Sequence, residues 1–238
     1  MGHRDELSFA PTPSGHEHRD SRAYIPLHRH HRAYAALVLA GSYEESGSRG
    51  RFRVCPGDVL LHEAFDVHLD RFESGGARIF SLEIEACPAA ISIAHVSDAD
   101  AMVRIAERDA VAAGALLLAE IRRKPAVHYD WPDMLADDLL SDPAWRLDAW
   151  ARRRALAPAT VSRGFRAVFG VTPAAFRLGA RARDAFRLII GSGQSLAAVA
   201  ATTGFTDQAH MSRAVRALTG APPGSWRRSK SYKTESAS

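Results

Sequence analysis

At 238 residues, with 46% hydrophobic and 24% charged residues, the chain can bury one large core or two modest ones, which excludes a disordered chain. The net charge of +4 hides an asymmetry, because residues 141–238 carry 16 Lys+Arg against 5 Asp+Glu and the remainder 15 against 22; the carboxyl part suits a polyanion, nucleic acid first. Apolar runs such as AYAALVLA fall short of the roughly 20 residues of a membrane span and no signal segment opens the chain, so a cytoplasmic protein without a membrane partner is expected.

Residues 1–22 are polar and are expected to lack fixed structure. From 23 to 92 the segments RAYAALVLAGSYEE, GRFRVCPGDVLLH, VHLDRF and ARIFSLEIE predict short strands between Gly, Pro and Ser turns, as in a sandwich or small barrel. Pro56-Gly57-Asp58 ahead of Val59, Leu60 and Leu61 predicts a hairpin. His28 and His30 stand two apart, so on a strand both imidazoles face one side, and His68 from a neighbouring strand would complete a three-histidine face. Those three residues either line an effector pocket or hold a metal ion; His31 and His62 are weaker members of the set. Cys55 and Cys87 are too few for a disulfide framework and are expected as buried free thiols.

Residues 93–144 read as a helical linker. SDADAMVRIAERDAVAAGALLLAEIRR opens on a Ser97 and Asp100 capping-box pattern and continues as an alanine-rich helix, and WPDMLADDLL predicts a further short one. These helices either pack on the strands or make a homodimer contact.

The basic part contains a repeat. VSRGFRAVFGVTP at 161–173 aligns without a gap on MSRAVRALTGAPP at 211–223, so that Ser162, Arg163, Arg166, Ala167, Gly170 and Pro173 recur fifty positions later. Each copy predicts a helix stopped by glycine and then proline. Val161, Phe165, Val168 and Phe169 form one buried stripe, and Met211, Val215 and Leu218 the other. The opposite faces carry Ala159, Ser162, Arg163 and Arg166, and Gln208, Ala209, Ser212, Arg213 and Arg216. Such small, polar, cationic faces are what a helix needs to enter a major groove. A shorter helix precedes each copy: WRLDAWARRRALAP with Leu147, Trp150 and Ala151 on one face, and SLAAVAATTGF from an N-cap at Ser195 to a turn at Gly204, with Thr206 or Asp207 capping the helix that follows.

These residues carry a family resemblance. LDAWARRRALAPATVSRGFRAVFGVTPAAFR resembles the first helix-turn-helix of AraC/XylS-type transcription regulators, and SLAAVAATTGFTDQAHMSRAVRALTGAPPGSWRR resembles the second, continuously over 145–228. The resemblance implies a DNA-binding domain at 145–229, a tail at 230–238, and two helical subdomains joined by a long helix from about Thr172 to Ile190. It places base-facing positions at Ala159, Ser162 and Arg163, and at Gln208, Ala209, Ser212 and Arg213. The partners implied are double-stranded DNA, a small-molecule effector and, for an activator, RNA polymerase. On the connecting helix Arg177, Arg181, Arg183 and Arg187 form a basic set, with Phe176, Phe186, Ile189 and Ile190 toward the core.

HRHH, the Pro-Gly-Asp turn and His68 resemble the cupin-like sensory domain found upstream in the same family. The expected fold is therefore an α+β two-domain protein, a cupin-like β-sandwich with helices followed by an all-α double helix-turn-helix. The resemblance to metal-binding cupins is partial: where those carry a glutamate after the His-x-His pair, this chain has Tyr34, Ala35 and Ala36, and Glu44 and Glu45 lie beyond the next turn. On that ground no cofactor is expected, a metal on the histidines being the alternative, and no enzyme chemistry is assigned. The rival reading is a metal-dependent cupin enzyme with an accessory DNA-binding domain.

Overall fold

The computed structural model describes residues 8–85, 87, 91–125, 127, 129–141 and 146–227; the expected tail at 230–238 lies outside them, as do residues 1–7. The chain divides into two compact units, one of Met1–Met134 with Ala167–Gly170, the other of Leu135–Arg166 with Val171–Ser238. Among the described residues no helix is long and apolar enough to cross a membrane.

The first unit is built on strands β1 (Ser8–Phe9), β2 (Gly15–Arg19), β3 (Tyr24–Arg29), β4 (Tyr34–Gly47), β5 (Gly50–Val54), β6 (Asp58–His62), β7 (Val67–Glu83), β8 (Ile93–His95) and β9 (Arg122–Arg123). They form one mixed nine-stranded sheet around a long antiparallel β4–β7 ribbon. One half of the ribbon pairs Tyr34–Gly41 with Ala77–Glu83 and carries β2 and β6; the other pairs Tyr43–Gly47 with His68–Phe72 and carries β3 and β5. Register shifts between Val38 and Ala40 and between Gly41 and Tyr43 mark where the ribbon bends. The bend requires glycine: Gly41 has φ +74°, and a Cβ there would lie 2.0 Å from the Gly76 carbonyl oxygen. The two halves of the expected β-domain are continuous through that ribbon, in one hydrogen-bonded sheet.

Both faces of β4 are covered, which explains its unbroken apolar run. Tyr34, Ala36 and Val38 join Tyr43, Phe52, Phe72 and Ile79 in one core, while Ala35 and Leu37 join Phe80 and Leu82 in another. The second core is completed by Met102 and Val103 of α1 (Ala99–Ala106) and by Ala113 and Leu117 of α2 (Ala110–Glu120). Of the two roles expected for these helices, the structure shows the packing on strands.

Several local expectations are corrected. Residues 15–19 are not without structure: β2 pairs with Ala77–Ser81, Glu17 accepts the Ser81 hydroxyl at 2.9 Å, and the His16 ring meets Phe80 edge-on. The Pro56-Gly57-Asp58 turn does not close a hairpin, because β5 and β6 pair with opposite halves of β4 and not with each other. The alanine-rich helix is two helices, since Asp109 caps a second start at the Val111 and Ala112 amides; α1 is capped by Asp98, not Ser97. Cys55 is exposed and Cys87 half-buried, with burial pushing the Cys87 thiol up to about 12.

The Pro-Gly-Asp turn is fixed by a buried carboxylate. Asp58 accepts the Cys55 amide at 3.1 Å and Lys124 Nζ at 2.6 Å, with His95 Nδ1 at 3.2 Å. Burial raises its pKa, but these hydrogen bonds outweigh burial and hold the carboxyl below its usual range. Asp58→Ala is expected to cost about 1–3 kcal/mol at neutral pH by leaving buried donors unpaired. Because the folded-state pKa is depressed, this contribution is present above the unfolded value, about 3.9, and is lost as pH falls through the folded one. Urea unfolding of both proteins at pH 7 and pH 3 checks this: the gap should shrink in acid.

The second unit contains α4 (Leu147–Arg153), α5 (Pro158–Phe169) up to Arg166, α6 (Pro173–Gly191), α7 (Leu196–Thr202) and α8 (Gln208–Thr219); α3 (Trp131–Ser141) spans the division between the units. Thr172 caps α6 through the Ala175 amide, and Pro173 occupies its first turn, where a missing N–H costs nothing. Phe176, Ala180, Ala182, Ala185, Phe186 and Ile189 are buried along it. Two expectations for this helix fail: Arg183 is buried and Ile190 is exposed. The buried stripe is wider than one face because α7 and α8 both pack on α6, which takes in Arg183 and leaves Ile190 outside.

Candidate nucleic-acid interface and ligand pocket

The fifty-residue repeat is a repeat of structure. From Val161 to Ala167 and from Met211 to Ala217 the order of buried, half-buried and exposed positions is identical. Val161 and Phe165 in α5, and Met211 and Val215 in α8, are fully buried. Arg163, Arg166, Arg213 and Arg216 are exposed, as are Ala159, Gln208 and Ala209, whereas Ser162 and Ser212 are half-buried at the edge of each face. Among the described residues no carboxylate lies within ion-pairing distance of those four arginines. By contrast Arg152 and Arg187 meet Asp148 and Asp184 on their own helices.

The turns that aim the two helices are closed alike but made differently. Gly204, at φ +73°, lets the Phe205 amide reach back to the Ala200 carbonyl at 2.9 Å. In the first motif Ala155, at φ +52°, does the same for the Leu156 amide and the Ala151 carbonyl at 3.0 Å. The connection there is one residue shorter, 154–157 against 203–207. Asp207 caps α8 through the His210 amide at 2.6 Å, whereas Ala157, fifty positions earlier, offers no side-chain acceptor. His210 is structural, its ring held between the Thr206 hydroxyl at 3.0 Å and the edge of Phe205.

A Cβ at Gly204 would meet only the Arg181 side chain at ordinary contact distance, so the cost of a substitution there lies in the backbone. Gly204→Val is expected to destabilise the second unit by about 1–2 kcal/mol, and Ala155→Gly to stabilise it by up to about 1 kcal/mol. Thermal melts of the two variants should move in opposite directions.

The sequence family described as "Helix-turn-helix domain" matches residues 150–229. Residues 150–229 are a helix-turn-helix domain of the AraC type. An AraC-type domain marks a DNA-binding transcription regulator. No curated protein matches the chain. Solved structures similar to it include the DNA-binding domain of AdpA in complex with a target DNA, at 24% identity and TM-score 0.39 over 44% of this chain and 96% of that one. The C-terminal domain of AraT, a response regulator from Geobacillus stearothermophilus, is similar at 19% identity and TM-score 0.38, over 41% and 84%. ToxT from Vibrio cholerae is similar at 6% identity and TM-score 0.41, over 90% and 98%.

Outside the AraC-type domain, the first unit holds a cavity of about 370 Å³ into which the histidines converge. His28 on β3 lies opposite His68 on β7, their ring centroids 4.2 Å apart, and His30 follows two residues on. The His28 and His30 Nδ1 atoms lie 2.9 Å from the Pro26 carbonyl and 2.7 Å from the Pro11 carbonyl. A carbonyl only accepts, so each Nδ1 carries the hydrogen and each neutral ring keeps a lone pair at Nε2. Burial lowers the pKa of both, and drives those of His62 and His68 well below the ordinary imidazole value.

Two residues discounted on the sequence belong to this cluster. His62 stacks on Tyr34 and lies 4.6 Å, ring to ring, from His68. Glu45, expected to be out of reach beyond a turn, lies 3.4 Å from His62 Nε2. The cause is the ribbon register: Glu45 pairs with Asp70, two residues along β7 from His68, so all three side chains share one face. Burial, with Asp70 next, raises the Glu45 pKa well above the carboxylate range, and burial raises that of Asp70 to about 7. His31 stays outside, stacked on Phe9. Two sets could hold a metal ion, His28 with His30 and His68, and Glu45 with His62 and His68; within each set the donor atoms lie within 4.8 Å of one another.

Proposed function

We propose that this protein is a sequence-specific transcription regulator that reads duplex DNA with α5 and α8 and responds to a small molecule taken into the cavity of its first unit. The observation that carries the reading is the pair of recognition faces, the same in order of burial and each bearing two exposed arginines without an internal carboxylate partner. Arg163 and Arg213 are the residues for guanine O6 and N7, and Gln208 is the one for adenine. Arg166 and Arg216, one turn further on, hold phosphates. Ser162 and Ser212 contribute short hydroxyl contacts at the edge of each face, and Ala159 and Ala209 allow close approach of the helix to a thymine methyl. The cavity, about 370 Å³ and lined by His28, His30 and His68 among others, is of a size for a small effector. Effector binding shifts the population of DNA-competent arrangements, with a homodimer and, in activation, RNA polymerase as further partners.

The test is selection of the preferred duplex from random sequences, followed by titration of Arg213→Ala. A loss of about 1–3 kcal/mol with relaxed preference at one base pair is expected for a base contact. Equal weakening on all sequences would reassign Arg213 to phosphate. Unchanged affinity in a folded variant would remove α8 as a reader.

A further inference from the structure

We propose that the cavity of the first unit binds one divalent transition-metal ion through Glu45, His62 and His68, three side chains from three strands that share no sequence motif. The inference concerns the chemistry of the cavity alone and stands whether or not α5 and α8 read DNA.

Three observations carry it. The donors are already near coordination spacing: His62 Nε2 and Glu45 Oε2 are 3.4 Å apart. Two ligands about 2.0–2.1 Å from a tetrahedral ion are separated by about 3.3 Å. Second, His62 Nε2 and His68 Nδ1 are buried and meet no hydrogen-bond partner, on residues only 3% and 4% exposed. Buried polar atoms are rarely left unpaired, and an imidazole nitrogen that keeps its lone pair is satisfied by a cation as well as by a hydrogen-bond donor. His68 Nε2 meets the Tyr34 hydroxyl at 3.2 Å, as His28 and His30 Nδ1 meet carbonyls, but neither His28 nor His30 has an orphaned buried atom. Third, Asp70, which pairs with Glu45 across the β4–β7 ribbon, is buried with its Oδ1 lacking a hydrogen-bond partner. An ion held by Glu45 would place positive charge beside that unpartnered oxygen.

Two imidazoles and one carboxylate suit zinc, nickel, iron or cobalt rather than magnesium or calcium. With three protein ligands the ion keeps an open position. The cavity, about 370 Å³ and also lined by His28 and His30, has room for a water or a small ligand.

The experiment uses the full chain, stripped with a chelator and titrated with Co²⁺, whose visible absorption reports its coordination, followed by displacement with Zn²⁺. One equivalent of Co²⁺ per chain is expected, displaced by Zn²⁺, with affinity weakened at least about tenfold in Glu45→Gln and in His62→Ala. Absence of saturable binding overturns the proposal, and so does retained affinity in those two variants. Should either variant fail to fold by circular dichroism, X-ray absorption of the zinc-loaded wild type decides: two imidazoles with oxygen support the site, and three imidazoles place the ion on His28, His30 and His68 and overturn it. Duplex binding by the same preparations is scored separately and bears only on the reading of α5 and α8.

Discussion

Trp150→Ala is expected to destabilise the second unit by about 3–5 kcal/mol, a large share of the roughly 5–15 kcal/mol typical of a domain. The indole is fully buried, and its Nε1 donates to Asp138 Oδ2 at 2.6 Å while the Arg154 guanidinium lies 3.9 Å from its ring. Alanine removes the largest fully buried side chain among the described residues and leaves a cavity in its place. Trp150→Phe separates the two contributions. It keeps most of the volume and loses the N–H, and the cost should fall to about 1–2 kcal/mol. Chemical unfolding followed by circular dichroism gives both numbers, and a change under 1 kcal/mol in Trp150→Ala would mean that α4 is not integral to the unit.

Duplex binding is expected to weaken roughly 150-fold between 50 and 200 mM salt if the four arginines of α5 and α8 each displace a counterion, because log K then falls with log salt at a slope near −3.6. Arg216→Ala should lower that slope by about 0.9 and weaken all sequences alike, as loss of a phosphate contact does. Affinity independent of salt would show that the exposed arginines face solvent only. The fragment used for such titrations should begin before Leu135, not at residue 141, since Asp138 of α3 supplies the partner of the Trp150 indole.

What the sequence discloses here follows from how local its signals are. The two recognition helices are legible because apolar residues at helical spacing, a capping residue and a glycine stop all lie within some twenty neighbours, and because the pattern occurs twice. Gly204 announces its turn; Ala155, in the same backbone conformation, leaves no compositional trace. β2 escapes notice because His16, Glu17, His18 and Arg19 show no apolar alternation, and the strand is held by its ladder to β7. His28 and His30 are readable as a pair two apart on one strand, whereas Glu45 and His62 meet only through the bend at Gly41 and the pairing of β4 with both β6 and β7. The Arg51 contact with Asp133, bridging 82 positions of sequence, is likewise set by topology and has no local sign.

The repeat has a consequence for the DNA itself. A two-fold pair of identical readers fits a palindrome, which looks the same from either end. If α5 and α8 are the readers, as proposed, they follow one another in a single chain and are not the same: Ala157 stands where the second copy has Asp207, Ala159 corresponds to Ala209 but no glutamine precedes it, and the first turn is a residue shorter. Turned end for end, the duplex would offer each helix the bases meant for the other. A site that suits α5 and then α8 therefore has a front and a back. Inverting it in place, with every base pair kept, should change what the bound protein does at a neighbouring promoter.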